Sequence, residues 1–185
     1  MKKAIKILMV VAFFTLIFFG GKIVLKQSLF PVMYSDYVIK YSQEYNVDPM
    51  LVLSVMKAES NFNENAESKK DARGLMQITG NTGTWIAEQI GVENFNISML
   101  KEPETSIMFG CWYLDNLMTE FSDEDLVIAA YNAGRGNVQK WLVDSRYSND
   151  GDNLSYIPFK ETDKYLNKVK AYKNIYTSLY IEDEK

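Results

Sequence analysis

The residue whose type and position most suggest chemistry is Glu59, a carboxylate set in the apolar face of a helix. Asp48-Pro49 followed by MLVLSVMKAES reads as that helix, with Asp48 as its N-cap and Pro49 at the first helical position, where the missing N–H costs nothing. At about 100° per residue, Glu59 falls on the same arc as Leu51, Val52, Val55 and Met56, while Ser54 and Lys57 are expected to point away. A carboxyl on that arc faces the core or the floor of a cleft. Desolvation there raises its pKa toward neutrality, the condition for a general acid. The competing reading is a Glu satisfied by a buried partner, since structural networks also perturb pKa values.

Composition narrows the chemistry around it. The 185 residues contain no His, which removes Ser-His and Cys-His nucleophile systems and most zinc sites. Carboxylate, hydroxyl, amide and aromatic groups remain, and neither a metal nor a cofactor is expected. The single Cys111 lies at helical spacing with Ile107 and Leu114 and reads as a packed core thiol. With 24 Asp+Glu against 20 Lys+Arg, nucleic acid is not an expected partner. Twelve Tyr are available both to a core and to a sugar-binding cleft, where aromatic faces meet the apolar faces of pyranose rings.

The elements that must position Glu59 are helical. Stripes recur at Tyr34, Val38, Tyr41 and Tyr45, then in the Asp48 to Ser60 helix. Thr84 to Ile90 reads as a short helix closed by Gly91, and Pro103 opens a long one with Ile107, Cys111, Leu114, Met118 and Phe121 on one side. Ser122-Asp123-Glu124-Asp125 resembles a capping box before Leu126 to Tyr131, which Gly134 ends. Val138, Trp141 and Leu142 mark a further short piece, and Tyr165, Val169, Tyr172, Tyr176 and Leu179 a C-terminal helix. Asn61 to Arg73 and Ser145 to Tyr156 read as polar loops. The fold class is all-α, with seven or eight helices.

Before this domain lies AIKILMVVAFFTLIFFGGKIVL, uncharged from residue 7 to residue 21. The exit Gly20-Gly21-Lys22 is a poor cleavage site, so a signal-anchor is expected. Residues 1–27 are therefore read as one transmembrane segment and 28–185 as a domain outside the cytoplasm. The alternative is secretion after signal cleavage.

Glu59-Ser60, then Gly74-Leu75-Met76-Gln77-Ile78, then Ala130-Tyr131-Asn132-Ala133-Gly134 resemble, in order, three motifs of the soluble lytic transglycosylase family. Ile157-Pro158-Phe159 with Glu161, Thr162 and Tyr165 resembles its C-terminal segment. The resemblance runs from about Tyr37 to Tyr180. It implies a lysozyme-like fold and cleavage of the β-1,4 bond between N-acetylmuramic acid and N-acetylglucosamine in peptidoglycan, leaving a 1,6-anhydro end. Carried over by position, Glu59 is the catalytic acid, and Ser68, Met76, Gln77, Tyr131 and Asn132 line the sugar cleft. Partners are then glycan strands and, through the N-terminal helix, the membrane, with the protein a monomer.

Two positions depart from the family pattern: Asp71 stands where Gly is usual, and Ser155 where a second Glu is common. Asp71 would tolerate a positive φ if the loop needs one, and Glu161 is a candidate replacement for the second acid. Two rivals stay open. A hydrolytic muramidase would need a second carboxylate, for which Glu64, Glu67 and Asp71 are nearest in sequence. A wall-binding module would keep the groove and lose the chemistry.

Overall fold

The computed structural model describes residues 20–181 and, before them, Lys6, Met9, Phe13 to Thr15 and Ile17. The apolar stretch read as an anchor lies largely outside the described residues. Among those described, no helix is long and apolar enough to cross a membrane.

Seven α-helices are described: α1 Ser35–Glu44, α2 Pro49–Glu59, α3 Gly80–Ile90, α4 Pro103–Glu120, α5 Glu124–Ala133, α6 Arg135–Leu142 and α7 Lys160–Tyr180. A 3₁₀ segment, Ile97–Lys101, precedes α4. A two-residue hairpin, β1 Ala72–Arg73 with β2 Ile78–Thr79, carries the turn before α3, pairing Ala72 with Thr79 and Arg73 with Ile78. No period-two alternation can announce strands this short, and the sequence reading missed them.

Helix α2 is the centre of the domain. Asp48 caps it by accepting the Met50 N–H at 2.8 Å, with Pro49 in the first turn. Leu51, Val52, Val55 and Met56 are buried as the stripe requires, but Leu53 and Ser54 are buried too, so the expectation that Ser54 faces solvent is corrected. With α1 and α4 on one side and α7 on the other, the helix is enclosed almost all round. The Ser54 hydroxyl meets its hydrogen-bonding need internally by donating to the Met50 carbonyl at 2.6 Å. Lys57 lays its ammonium over the rings of Phe30 and Tyr172, at 4.9 and 5.4 Å from their centroids.

Two boundaries differ from the reading of the sequence. Helix α3 begins at Gly80, four residues before Thr84, because the Thr79 side chain caps it through the Thr82 N–H and because Gly83 lets it settle against Phe95 and Leu100. Asp123, not Ser122, caps α5, accepting from the Asp125 and Leu126 N–H groups. Cys111 is buried in the core of α4, as read from the sequence.

The N-terminal approach to the domain is itself docked. Residues Leu25–Leu29 form one wide helical turn. The Tyr180 hydroxyl donates to the Lys26 and Phe30 carbonyls (3.2 and 2.8 Å), and the Tyr176 hydroxyl to that of Pro31 (3.1 Å). Phe30 stands edge-on to both Tyr172 and Tyr176.

Candidate active site

Glu59 is the last residue of α2 and opens onto a cleft of about 310 Å³, lined also by Ser68, Lys69, Lys70, Ala72, Gln77, Thr79, Tyr131, Asn132 and Glu161. Burial pushes its carboxyl from the ordinary 4.5 up to about 7. The Tyr165 hydroxyl and the Lys168 ammonium draw it back, and the Glu161 carboxylate pushes it further up. Its place at the helix C-terminus, where the backbone carbonyls carry partial negative charge, favours the proton in the same direction.

Two phenols flank this carboxyl. Tyr131 donates to the Met76 carbonyl at 2.8 Å. Tyr165 is buried with its hydroxyl turned to the Glu59 carboxyl, close enough to draw that carboxyl's pKa down but, among the described residues, outside ordinary hydrogen-bond geometry with any partner. Burial and then the Glu59 charge hold both phenols well above the usual tyrosine range, so both stay neutral wherever Glu59 titrates.

The loop from Ser60 to Ile78 is built to bring polar groups over Glu59. Ser60 ties the end of α2 to it by donating to the Leu75 carbonyl at 2.8 Å. The Ser68 hydroxyl accepts the Lys70 and Ala72 N–H groups, closing the turn that leads to β1. Asp71, in that turn, has φ +60°, the left-handed conformation that explains why Gly and Asp can both stand there. Gly74 has φ +75°, and a Cβ on it would lie 1.8 Å from the Leu100 carbonyl oxygen, so no side chain fits. Gln77 also has positive φ and donates its amide to the Ala66 and Gly74 carbonyls, both at 3.0 Å, bracing the loop from inside.

The residues singled out from sequence therefore separate. Glu59, Ser68, Gln77, Tyr131 and Asn132 come together around one cleft. Met76 does not join them: its side chain is fully buried against Gly110, where a Cβ would meet it, and only its backbone reaches the site, through the carbonyl that holds Tyr131. That corrects the expectation that Met76 lines the cleft. The Asn132 carbonyl oxygen accepts the Thr162 hydroxyl at 2.8 Å, which fixes its amide and joins α5 to α7.

Helix α7 supplies what a local reading could not assign. Its packing along α2 brings Glu161, Tyr165 and Lys168 to Glu59, while Thr162 reaches Asn132, and Glu161 faces Lys70 across the cleft with 3.9 Å between carboxylate and ammonium. The only signal in the sequence was the resemblance of the segment around them. The other candidate acids lie elsewhere. Glu64 accepts the Tyr34 hydroxyl, Glu67 is paired with Lys101 at 3.0 Å, and Asp71 with Arg73 at 2.8 Å. Ser155 accepts from the Asn149 amide in the exposed loop, away from the cleft lining.

A model of the transglycosylase SLT domain matches residues 36–154, which carry Glu59, Gln77, Tyr131 and Asn132. The chain belongs to that family. It is 33% identical over 150 residues to the soluble lytic murein transglycosylase of Salmonella typhimurium, covering 80% of this chain and 23% of that one. It is 30% identical over 167 residues to the membrane-bound lytic murein transglycosylase C of Pectobacterium atrosepticum, covering 75% and 45%. The crystal structure of the 70 kDa soluble lytic transglycosylase of Escherichia coli superposes with a TM-score of 0.71 at 29% identity, covering 80% of this chain and 25% of that one. This SLT chain thus spans only about a quarter of the length of the soluble relatives. Its mainly helical, lysozyme-like fold is the family's.

Proposed function

We propose that this SLT domain is a lytic transglycosylase that cleaves the β-1,4 bond between N-acetylmuramic acid and N-acetylglucosamine in peptidoglycan glycan strands. The observation that carries the reading is Glu59, a carboxyl whose pKa lies near 7 on the wall of a polar cleft. Protonated, Glu59 gives its proton to the glycosidic oxygen as the bond to C1 breaks. The carboxylate that remains takes the proton of the muramic C6 hydroxyl as that oxygen closes onto C1, so the acid is restored within one cycle. Gln77 and Asn132, both held by the protein, carry amide groups suited to the N-acetyl groups of the strand. Neither metal nor cofactor enters these steps.

A hydrolytic muramidase needs a second carboxylate to trap C1 or activate water. Glu64, Glu67 and Asp71 are engaged away from the cleft lining, and Glu161 is an exposed acid facing Lys70. An intramolecular nucleophile has an effective-molarity advantage on the order of 10⁵ M or more when well oriented, so the C6 hydroxyl is the favoured acceptor. Mass spectrometry of digested peptidoglycan decides between the two. Muropeptides lighter by one water than reducing-end products are expected, and full-mass reducible ends would overturn the lyase reading. Absence of any cleavage by the intact protein would favour a wall-binding module.

We further read residues 1–27 as a membrane anchor and 28–185 as a catalytic domain outside the cytoplasm, acting as a monomer. The uncharged run from residue 7 to residue 21 supports the anchor.

A further inference from the structure

Around the docked entrance to the domain, apolar side chains face outward. Residues 20–24 are helical and run without a break into the turn Leu25–Leu29. Phe30 ends that turn and is buried, edge-on to Tyr172 and Tyr176. Its neighbours do the reverse: Leu29 is 52% exposed, Val32 39% and Met33 40%. Ile181 is exposed as well, one residue past the Tyr180 whose hydroxyl donates to the Lys26 and Phe30 carbonyls. Single exposed hydrophobes need no explanation. Leu29, Val32 and Met33 lie close together on a segment held in place by tyrosine hydroxyls, and so present a fixed apolar surface.

The chain before this surface indicates what covers it. Residues 7–21 are uncharged and include Leu8, Val10, Val11, Phe13 and Phe14, and the exposed surface begins a few residues after that run ends. The groups around the turn are those that settle at a lipid–water boundary: tyrosines with one polar end, and Lys26, whose ammonium lies 4.9 Å from the centroid of the Tyr180 ring. A bilayer is the apolar phase that the run and the surface can enter together. The cleft stays clear of it, because Glu161 and Tyr180 stand near opposite ends of α7, about 28 Å apart at 1.5 Å per residue.

We propose that Leu29, Val32 and Met33 seat the catalytic domain on the lipid interface, their side chains entering the boundary between headgroups and acyl chains beside the anchor. The contact rests on the reading of residues 1–27 as that anchor. Its driving force is apolar burial, so it does not depend on anionic lipid.

The test places a nitrobenzoxadiazole label on single introduced cysteines in the full chain, reconstituted into phosphatidylcholine vesicles with and without phosphatidylglycerol. Cys111 is buried and its thiol is pushed up to about 12, so the introduced thiol reacts alone at neutral pH. Labels at Val32→Cys and Met33→Cys are expected to shift to the blue, to be quenched by spin-labelled lipid and to be shielded from iodide in both vesicles. A label at Val143→Cys, on the strongly exposed residue that follows α6, is expected to stay wet. Val32→Ser with Met33→Ser should then abolish lipid quenching of a label at Leu29→Cys. A Val32 label as wet as that at Val143, while one at Phe14→Cys is quenched by lipid, overturns the seat and leaves the anchor. Absence of lipid quenching at Phe14 and Val32 alike overturns the anchor reading and the seat with it. A Val32 label shielded from iodide but untouched by spin-labelled lipid shows a protein cover, a second copy or another partner, and refutes the bilayer.

Discussion

The Lys168 ammonium donates to the carbonyl of Ala58 at 2.8 Å, so a side chain from α7 grips the last turn of α2 one residue before Glu59. The same cation favours the ionised form of Glu59. Activity that needs the protonated acid falls as pH rises through about 7. Lys168→Met removes the cation, raises the Glu59 pKa and moves that alkaline limb to higher pH. A pH–rate profile of wall lysis reads the shift directly, and a limb that stays put would detach Lys168 from the acid.

Tyr165→Phe is expected to move the same limb upward, since the hydroxyl also draws the Glu59 pKa down. Its effect on stability should be small or favourable. The deleted hydroxyl is buried and, among the described residues, makes no hydrogen bond of ordinary geometry, a situation that costs roughly 1–3 kcal/mol. Urea denaturation of the variant at neutral pH checks this, and a large destabilisation would mean that the hydroxyl is bonded in solution.

Glu59→Gln keeps the shape and removes the transferable proton, so lysis should drop at least about 10²-fold. The stability effect follows from the sign of the shift. A carboxyl whose pKa is raised by folding contributes fully below its unfolded value near 4.5, and that contribution is lost as pH rises to about 7. The folded protein carries the cost of an unfavourably placed charge above that range, at most about 3 kcal/mol. Glu59→Gln should therefore melt close to wild type at pH 4 and above it at pH 8. Thermal scans at the two pH values measure the difference.

Gly74→Ala places a methyl 1.8 Å from the Leu100 carbonyl oxygen at a positive φ, and backbone cannot step aside cheaply. A loss of more than about 2 kcal/mol is expected, together with lysis, because the Gly74 carbonyl holds Gln77. Gly110→Ala should cost less. Its methyl would meet the Met76 side chain, which can find another rotamer. Comparing the two urea midpoints tests the ranking.

For topology, the protein as synthesised should partition with membranes, and external protease should reach the stretch from Tyr34 onward in spheroplasts. An N-terminus starting beyond Gly21 in a soluble fraction would show a cleaved signal instead.

The helices were legible because their ends are marked by chemistry that acts locally: Asp48-Pro49, Pro103, Gly91, Gly134. Glu59 was legible because a carboxyl on a Leu-Val-Val-Met stripe is a local contradiction. What escaped depends on contacts between distant segments. Ser54 is buried because α2 is packed against α1, α4 and α7 together, and Met76 is buried because Gly110 leaves room for it. Tyr165 and Lys168 stand beside Glu59 only through the packing of α7 on α2, more than a hundred residues along the chain. The hairpin at Ala72 to Thr79 is too short to carry a period of its own.

The tyrosine hydroxyls that seize the carbonyls of Lys26, Phe30 and Pro31 turn the entrance to the domain from a leash into a bracket. The chain's entrance and the end of α7 therefore move as one body, so that a pull on Leu25 reaches the C-terminal helix before it reaches any loop.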